Sequence, residues 1–167
     1  MHNFDLLVPC HLMFGKDRIN ELPKVMSQFG KKVLLTYGGG SIKRTGLYDK
    51  VKELLKDYEV FELSGIEPNP KISSVRAGVK ICKEQNIDVI LAVGGGSVID
   101  CSKNISAGWG YDGDPWELVL DCSKVSKTLP IVTVLTLSAT GSEFDNSAVI
   151  SNPETNEKMP LFGFGTS

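Results

Sequence analysis

An apolar run that ends in three glycines constrains the fold of this chain more than any other feature. The run Val89–Val93 is unbroken and rich in β-branched side chains, as expected of a strand buried on both faces of a parallel sheet. Gly94–Ser97 follow at once, and a helical pattern of apolar residues extends from Val98 to Ile105. A strand, a glycine turn and a helix in succession form the geometry of a phosphate site, because the helix N-terminus offers free N–H groups and a positive dipole end.

Neither of the two common glycine-rich phosphate motifs matches this turn. The Rossmann fingerprint would place its third glycine at Ile99, and a Walker-type loop would need a lysine between Gly96 and Ser97. Taken alone, Gly94–Ser97 is as compatible with an ordinary tight turn, in which Ser97 only caps the helix, as with a ligand site.

A second copy of the pattern favours the ligand site. The strand-like run Val33–Tyr37 is followed by Gly38–Ser41, which has the same Gly-Gly-Gly-Ser sequence. Two such units in one small chain predict a single ligand that spans two turns at the carboxyl ends of the strands. Sheets of α/β proteins bind dinucleotides at that edge.

Strand and helix patterns alternate along the rest of the chain. Apolar or β-branched runs predict strands, and apolar side chains on one helical face predict helices. The predicted strands are 4–14, 33–36, 60–63, 89–93, 131–135 and 148–151, and the predicted helices are 19–26, 47–55, 72–82, one after Ser97 and one begun by Asp114 and Pro115. This alternation predicts an α/β fold with a parallel sheet.

The loop Thr136–Glu143 is dense in small hydroxyl residues and follows a predicted buried strand. Its position at a carboxyl end is where ligands lie in such sheets. From residue chemistry alone it is equally compatible with an ordinary polar turn.

Composition excludes several classes of partner. A net charge of -2 gives no reason to expect nucleic acid or an anionic membrane, and no apolar stretch approaches membrane length. The cysteines have no CxxC spacing, and Cys82 and Cys101 lie on apolar helical patterns, so we expect buried free thiols in a cytoplasmic protein. With only His2 and His11 available, the chain cannot build a His-rich metal site, and we assign no metal ligand.

Four motifs in register resemble those of the iron-containing (group III) alcohol dehydrogenases, and of their butanol dehydrogenase branch in particular. They are Gly38–Ser41, Pro68–Pro70, Gly94–Asp100 with Lys103, and Thr136–Glu143. The resemblance covers essentially the whole chain but only the N-terminal half of such an enzyme. It implies a Rossmann-like dinucleotide-binding domain over residues 1–167, cut short at its end, with the helical metal domain of the family absent.

The resemblance implies that the second turn holds the cofactor pyrophosphate. Gly95, Gly96 and Ser97 would bind it, while Gly94 would shape the turn. Asp100 matches a motif aspartate near the cofactor, although an acid in the first turn of a helix is also favoured by the dipole alone.

The resemblance also implies contacts elsewhere along the cofactor. Gly38, Gly39 and Ser41 would face the adenosine ribose, and Thr136 and Thr140 would line the cofactor cleft.

A lysine completes the implied set. Lys158 matches a lysine near the nicotinamide ribose, and without the resemblance it would be taken for a solvated surface residue.

The choice between NADP and NAD depends on one position. Relatives that prefer NAD tend to place an aspartate at the end of the first strand, whereas this chain has Tyr37 followed by Gly38. The resemblance therefore favours or at least admits NADP. Glu62, expected at the end of the second strand, is a rival acid of the Rossmann kind.

Two residues depart from the family pattern. Ser138 stands where many members have proline, which changes only the rigidity of the turn. Asp145 stands where many have asparagine, and a carboxylate near the cofactor is expected to change the affinity for nicotinamide.

The implied reaction is reversible hydride transfer between NAD(P) and a primary alcohol or aldehyde. A divalent metal, iron or zinc, would act as Lewis acid and would be held by the absent domain, so no catalytic residue is assigned and the chain alone is expected to be inactive. We also expect a homodimer. A dehydroquinate synthase or glycerol dehydrogenase-like enzyme, or a non-catalytic nucleotide-binding module, remain alternatives; the loop Ala139–Glu143 argues against the first.

Overall fold

Four parallel strands form the centre of the molecule in the computed structural model, which describes residues 10–163. They lie in the order β2-β1-β3-β4. Their bounds are β1 (Lys32–Gly38), β2 (Glu59–Ile66), β3 (Val89–Gly94) and β4 (Ile131–Leu135). The predicted α/β fold with a parallel sheet is confirmed.

Helices connect these strands and cover both faces of the sheet. They are α1 (Leu22–Met26), α2 (Ser41–Arg44), α3 (Leu47–Leu54), α4 (Ile72–Gln85), α5 (Gly96–Trp109) and α6 (Pro115–Leu120), with 3-10 turns at Arg18–Glu21 and Cys122–Lys124. The Asp114 side chain accepts a hydrogen bond of 2.8 Å from the Trp116 N–H and so caps α6, as its position before Pro115 predicts.

Alternation along the central strands builds two cores, one on each face of the sheet. Leu34 and Ile90 point toward α4 and α5, whereas Leu35 and Leu91, one residue later in the same strands, point toward α1 and α3. All residues of β3 are buried, which explains its nearly continuous apolar sequence. Each such side chain contributes roughly 1.5–3 kcal/mol when it leaves water.

Residues 148–151 do not extend the parallel sheet, contrary to the prediction. They belong to β5 (Ser147–Asn152), which pairs antiparallel with β6 (Glu157–Phe162) in a separate two-stranded sheet. The sequence pattern did not predict β6, because Pro160 interrupts the strand and a turn-like segment precedes it. Pro160 is tolerated because, among residues 10–163, no further strand pairs with β6 and needs an N–H from it.

The predicted N-terminal strand 4–14 is not formed over Cys10–Phe14, which have no regular secondary structure, and residues 4–9 lie outside the described part of the chain. The ending Phe162–Ser167 is likewise described only as far as Gly163. Among residues 10–163, no helix is both long and apolar enough to cross a bilayer.

Candidate nucleotide-binding site

The strand order creates a switch point between β1 and β3. The chain leaves β1 toward β2 on one side, and later returns to place β3 on the other side of β1. Connections that depart in opposite directions leave a crevice at the carboxyl ends of the two strands, which is where open α/β sheets bind ligands. The two glycine turns begin at those ends, at Gly38 and Gly94, so the structure brings them together as predicted.

The second turn leads directly into the N-terminus of a long helix. Gly95 has extended backbone angles, and α5 begins at Gly96 and continues for 14 residues. Val98 donates its N–H to the Gly95 carbonyl at 3.0 Å, so the N–H groups of Gly96 and Ser97 precede the first helical bond. A phosphate placed there would meet free donors and the positive end of the helix dipole.

Close packing requires glycine at position 94 of this turn and leaves little space at position 96. A Cβ on Gly94 would lie 2.6 Å from Val98 Cγ2, which leaves no room for any side chain. A Cβ on Gly96 would lie 3.1 Å from Ser142 Oγ and 3.2 Å from Thr140 Oγ1. The space over Gly96 is therefore a small cradle bordered by hydroxyl groups, which a methyl group would fill and a phosphate oxygen would suit.

The hydroxyl-rich loop closes this cradle from above. The Thr136 N–H donates to the Gly94 carbonyl at 3.0 Å, so the loop starts at the second turn. Thr140 Oγ1 and Ser142 Oγ then lie 3.1 Å apart. Ser142 is buried and borders the cradle, but the sequence interpretation named it only as part of the motif.

Asp100 holds the β5–β6 hairpin against α5. Its carboxylate accepts a hydrogen bond of 3.2 Å from the Val149 N–H. Burial raises the pKa of Asp100 above its usual range, while hydrogen bonds from Val149 and Ser142 act in the opposite direction. Asp100 thus lies beside the cradle, one turn into the helix, and supports the loop that borders it.

Lys103 is the buried cation of the site. Its Nζ lies 2.8 Å from Asp145 Oδ1, 2.8 Å from the Asp145 carbonyl and 2.8 Å from the Ser147 carbonyl. Burial opposes the ionisation of Asp145, but the hydrogen bonds from Lys103 and Ser147 outweigh it and hold the pKa of Asp145 below its usual value. The carboxylate that departs from the family pattern is therefore engaged by Lys103, within the wall of the loop.

The glycines of the first turn have more free space around them than those of the second turn. Among the described residues, nothing lies within 4 Å of a Cβ built on Gly39, and Gly40 has a left-handed backbone with φ 113°. The helix that follows, α2, has only 4 residues, and Gly46 with φ 74° separates it from α3. The first unit therefore has the predicted strand, turn and helix, but its helix is too short to act as a dipole.

Glu62, the other acid considered for the ribose hydroxyls, lies in a hydrogen-bonded cluster. Glu62 pairs with Leu35 in the middle of β2, four residues before the strand ends at Ile66, so it does not lie at the strand end as expected. Its carboxylate accepts hydrogen bonds from Tyr37 (2.8 Å) and Tyr48 (2.9 Å).

Lys52 adds an ion pair to the same carboxylate at 3.0 Å. Burial opposes ionisation of Glu62, but these donors outweigh it and lower its pKa. Because its oxygens are already occupied, Glu62 is not available to bind ribose hydroxyls.

Lys158 lies at the carboxyl edge of the parallel sheet, away from the two glycine turns. Its Nζ donates to Asn69 Oδ1 at 2.6 Å, in the Pro68–Pro70 turn that follows β2. Among residues 10–163, no hydrogen bond connects Lys158 to either glycine turn. The structure therefore places Lys158 beside the loop after β2 and does not bring it against Gly94–Ser97.

The described residues fit a nucleotide but do not fit a metal ion. The cradle over Gly96, with its N–H donors and hydroxyls, matches a phosphate group. In the part of the chain that the structure describes, no group of three or more His, Cys, Asp and Glu side chains is placed to hold a metal.

Comparison with known proteins identifies the family. The family model described as iron-containing alcohol dehydrogenase matches residues 9–165. The NADH-dependent butanol dehydrogenase A of Clostridium acetobutylicum is 54% identical over 161 residues, which are 95% of this chain and 41% of that protein. The NADPH-dependent aldehyde reductase of Escherichia coli is 44% identical over 162 residues, 95% of this chain and 42% of that protein.

Solved structures agree in fold. The crystal structure of NADH-dependent butanol dehydrogenase A from Thermotoga maritima superposes with a TM-score of 0.93 at 40% identity, and covers 98% of this chain and 42% of the Thermotoga chain. The chain thus spans about two fifths of the length of the curated relatives it matches.

Proposed function

The chain belongs to the iron-containing alcohol dehydrogenase family, and we propose that it is the dinucleotide-binding part of an enzyme that transfers a hydride between NAD(P) and a primary alcohol or its aldehyde. Relatives named as NADH-dependent butanol dehydrogenases and as an NADPH-dependent aldehyde reductase support this reaction class. The family match favours it over the dehydroquinate synthase-like and non-catalytic alternatives.

One observation carries the proposal. The two glycine turns open side by side at the switch point of the sheet, and Thr140 and Ser142 border the second turn within 3.2 Å of a Cβ on Gly96. This combination provides N–H donors, hydroxyl donors and close backbone approach in one place, as the pyrophosphate of a dinucleotide requires.

We propose that the second glycine turn and the hydroxyl-rich loop together bind the pyrophosphate. The N–H groups of Gly96 and Ser97 bind the pyrophosphate over the turn shaped by Gly94 and Gly95, and the hydroxyls of Thr140 and Ser142 donate to its oxygens. When bound, NAD(P) supplies the hydride acceptor or donor of the reaction.

The remaining candidate residues lie along the same edge. Gly38, Gly39 and Ser41 face the adenosine ribose, Thr136 starts the wall of the cleft, and Lys158 remains a proposed contact of the nicotinamide ribose. The family reaction also involves iron or zinc, but residues 10–163 contain no group of three or more side chains placed to hold such an ion, so we assign no metal ligand among them.

Organisation and location are part of the proposal. We propose that residues 1–167 form one dinucleotide-binding domain, that the protein is a homodimer, and that it is cytoplasmic. Cys82 and Cys101 are free and buried, which supports a reducing compartment. Light scattering of the purified protein measures the oligomeric state, and a monomer would contradict the dimer.

Calorimetric titration with NADPH, and separately with NADH, tests the central proposal. We expect saturable binding of one dinucleotide per chain and no metal-dependent oxidation of butanol by this chain alone. AMP serves as the control ligand, because it lacks the pyrophosphate and should bind more weakly. Failure of both dinucleotides to bind would overturn the proposed site.

A further inference from the structure

We propose that Lys43 is a specificity-determining residue that favours dinucleotides with a phosphate on the 2′-oxygen of the adenosine ribose. This inference rests on the proposed function, since it concerns the adenosine end of the same site. It follows from three features beside the first glycine turn: a cation held over two aromatic rings, an occupied carboxylate, and open space.

The rings of Tyr37 and Tyr48 hold the Lys43 ammonium group in place. Tyr37 is the residue before Gly38 in β1, and Tyr48 lies on α3, with 5.6 Å between the ring centroids and 60° between the ring planes. Lys43 Nζ lies 5.3 Å from the centroid of Tyr37 and 4.8 Å from that of Tyr48. Aromatic rings attract a cation without neutralising it, so the charge of Lys43 stays available to a ligand.

The hydroxyls of the same two tyrosines occupy the carboxylate of Glu62. Both hydroxyls donate to Glu62, and Lys52 pairs with its carboxylate at 3.0 Å. Within residues 10–163, no carboxylate lies within 4.0 Å of Lys43 Nζ. The group carries two lysines against one glutamate, so its net charge beside the turn is positive.

The turn itself has room for an added phosphate. In the part of the chain that the structure describes, nothing lies within 4 Å of a Cβ on Gly39 or on Gly40. Lys43 follows Gly40 by three residues, and its N–H donates to the Gly40 carbonyl at 3.1 Å. An NAD-selective site would place an acid here to accept the ribose hydroxyls. Open space, a fixed cation and no free acid together suit a phosphate dianion.

The test compares NADPH and NADH affinity in the wild-type chain and in Lys43→Met. We expect wild type to bind NADPH more tightly, and Lys43→Met to lose about tenfold in NADPH affinity while NADH affinity stays within about twofold. Lys43→Arg keeps the charge over the rings and should retain most of the preference. Lys50→Met, which removes the same charge from α3, is the matched control and should leave the affinity ratio unchanged.

Each outcome is decisive because Lys43 is exposed and its removal leaves the cores intact. Equal weakening of both nucleotides would show a merely structural role, and an unchanged ratio or a wild-type preference for NADH would also overturn the inference. If the wild-type chain binds neither NADPH nor NADH, both the proposed function and the role of Lys43 are overturned. Thermal unfolding of each variant confirms that the compared chains are folded.

Discussion

The two Gly-Gly-Gly-Ser turns have the same sequence and different surroundings. In the second turn, Gly94 and Gly96 face side chains at 2.6 Å and 3.1 Å from an ideal Cβ, and α5 runs on for 14 residues. In the first, no described residue comes within 4 Å of a Cβ on Gly39, and α2 ends after 4 residues. The second turn is therefore built for close backbone approach to a ligand, and the first for space beside it.

The difference lies in the element that follows each turn. After the second turn, the first residues of α5 pack against the strand end through Val98 and under the hydroxyl loop through Gly96. After the first turn, no atom of residues 10–163 lies within 4 Å of a Cβ on Gly39 or Gly40. Under the proposed function, the same four residues bind a pyrophosphate in one place and face a ribose in the other.

The largest expected effect is on stability, from alanine placed in each turn. Gly94→Ala forces a Cβ to within 2.6 Å of the stiff, branched side chain of Val98, so we expect a loss of about 1–3 kcal/mol in the free energy of unfolding. The new methyl group of Gly39→Ala meets no atom of residues 10–163, and alanine restricts the unfolded chain, so we expect the free energy of unfolding to change by about 0 to +1 kcal/mol. Urea denaturation measures both, and equal losses would show that the turns are packed alike.

A second expected effect is on affinity, from two alanines on α5. Gly96→Ala fills the cradle below Ser142 and Thr140, so we expect about a tenfold loss in dinucleotide affinity with little loss of stability, because alanine favours the helix. Gly108→Ala, the matched control on the same helix, would place a Cβ 2.7 Å from Val79 Cγ2, and should destabilise the fold while leaving affinity unchanged. Unaltered binding by Gly96→Ala would remove the pyrophosphate from this turn.

The smallest expected effect is on pH dependence, from the acid that supports each turn. The pKa values of Asp145 and Glu62 are both lowered in the folded chain, so each contributes stability that is present above the unfolded pKa of about 4 and lost as pH falls through the folded pKa. Asp145→Asn and Glu62→Gln should each flatten the fall in stability on the acid side of about pH 4.

Replacing Asp145 and replacing Glu62 should change the pH dependence of stability by different amounts. The Lys103 side chain is only 9% exposed and that of Lys52 is 38% exposed, so solvent screens the Lys103–Asp145 pair less on its cationic side. We therefore expect the larger flattening from Asp145→Asn, measured by urea denaturation between about pH 3 and pH 7. A larger effect of Glu62→Gln would show that the first turn has the stronger electrostatic support.

Local sequence patterns determined the elements that carry the site. The apolar run Val89–Val93 with the glycines after it predicted β3, the second turn and the start of α5, and all three lie where expected. Asp114 before Pro115 likewise predicted the start of α6. These features depend on neighbouring residues only, through side-chain burial on a strand, backbone freedom at glycine and capping of free N–H groups.

Only the tertiary structure decided which distant side chains meet. Glu62 accepts a hydrogen bond from Tyr37 because the register of β2 on β1 puts it in mid-strand. Lys103 meets Asp145 across 42 residues of chain, and the hairpin strand β6 with its Pro160 forms only because β5 is there to pair with it. Sequence periodicity specifies the face on which a side chain lies, but its partner depends on strand order and register, which arise when the whole sheet assembles.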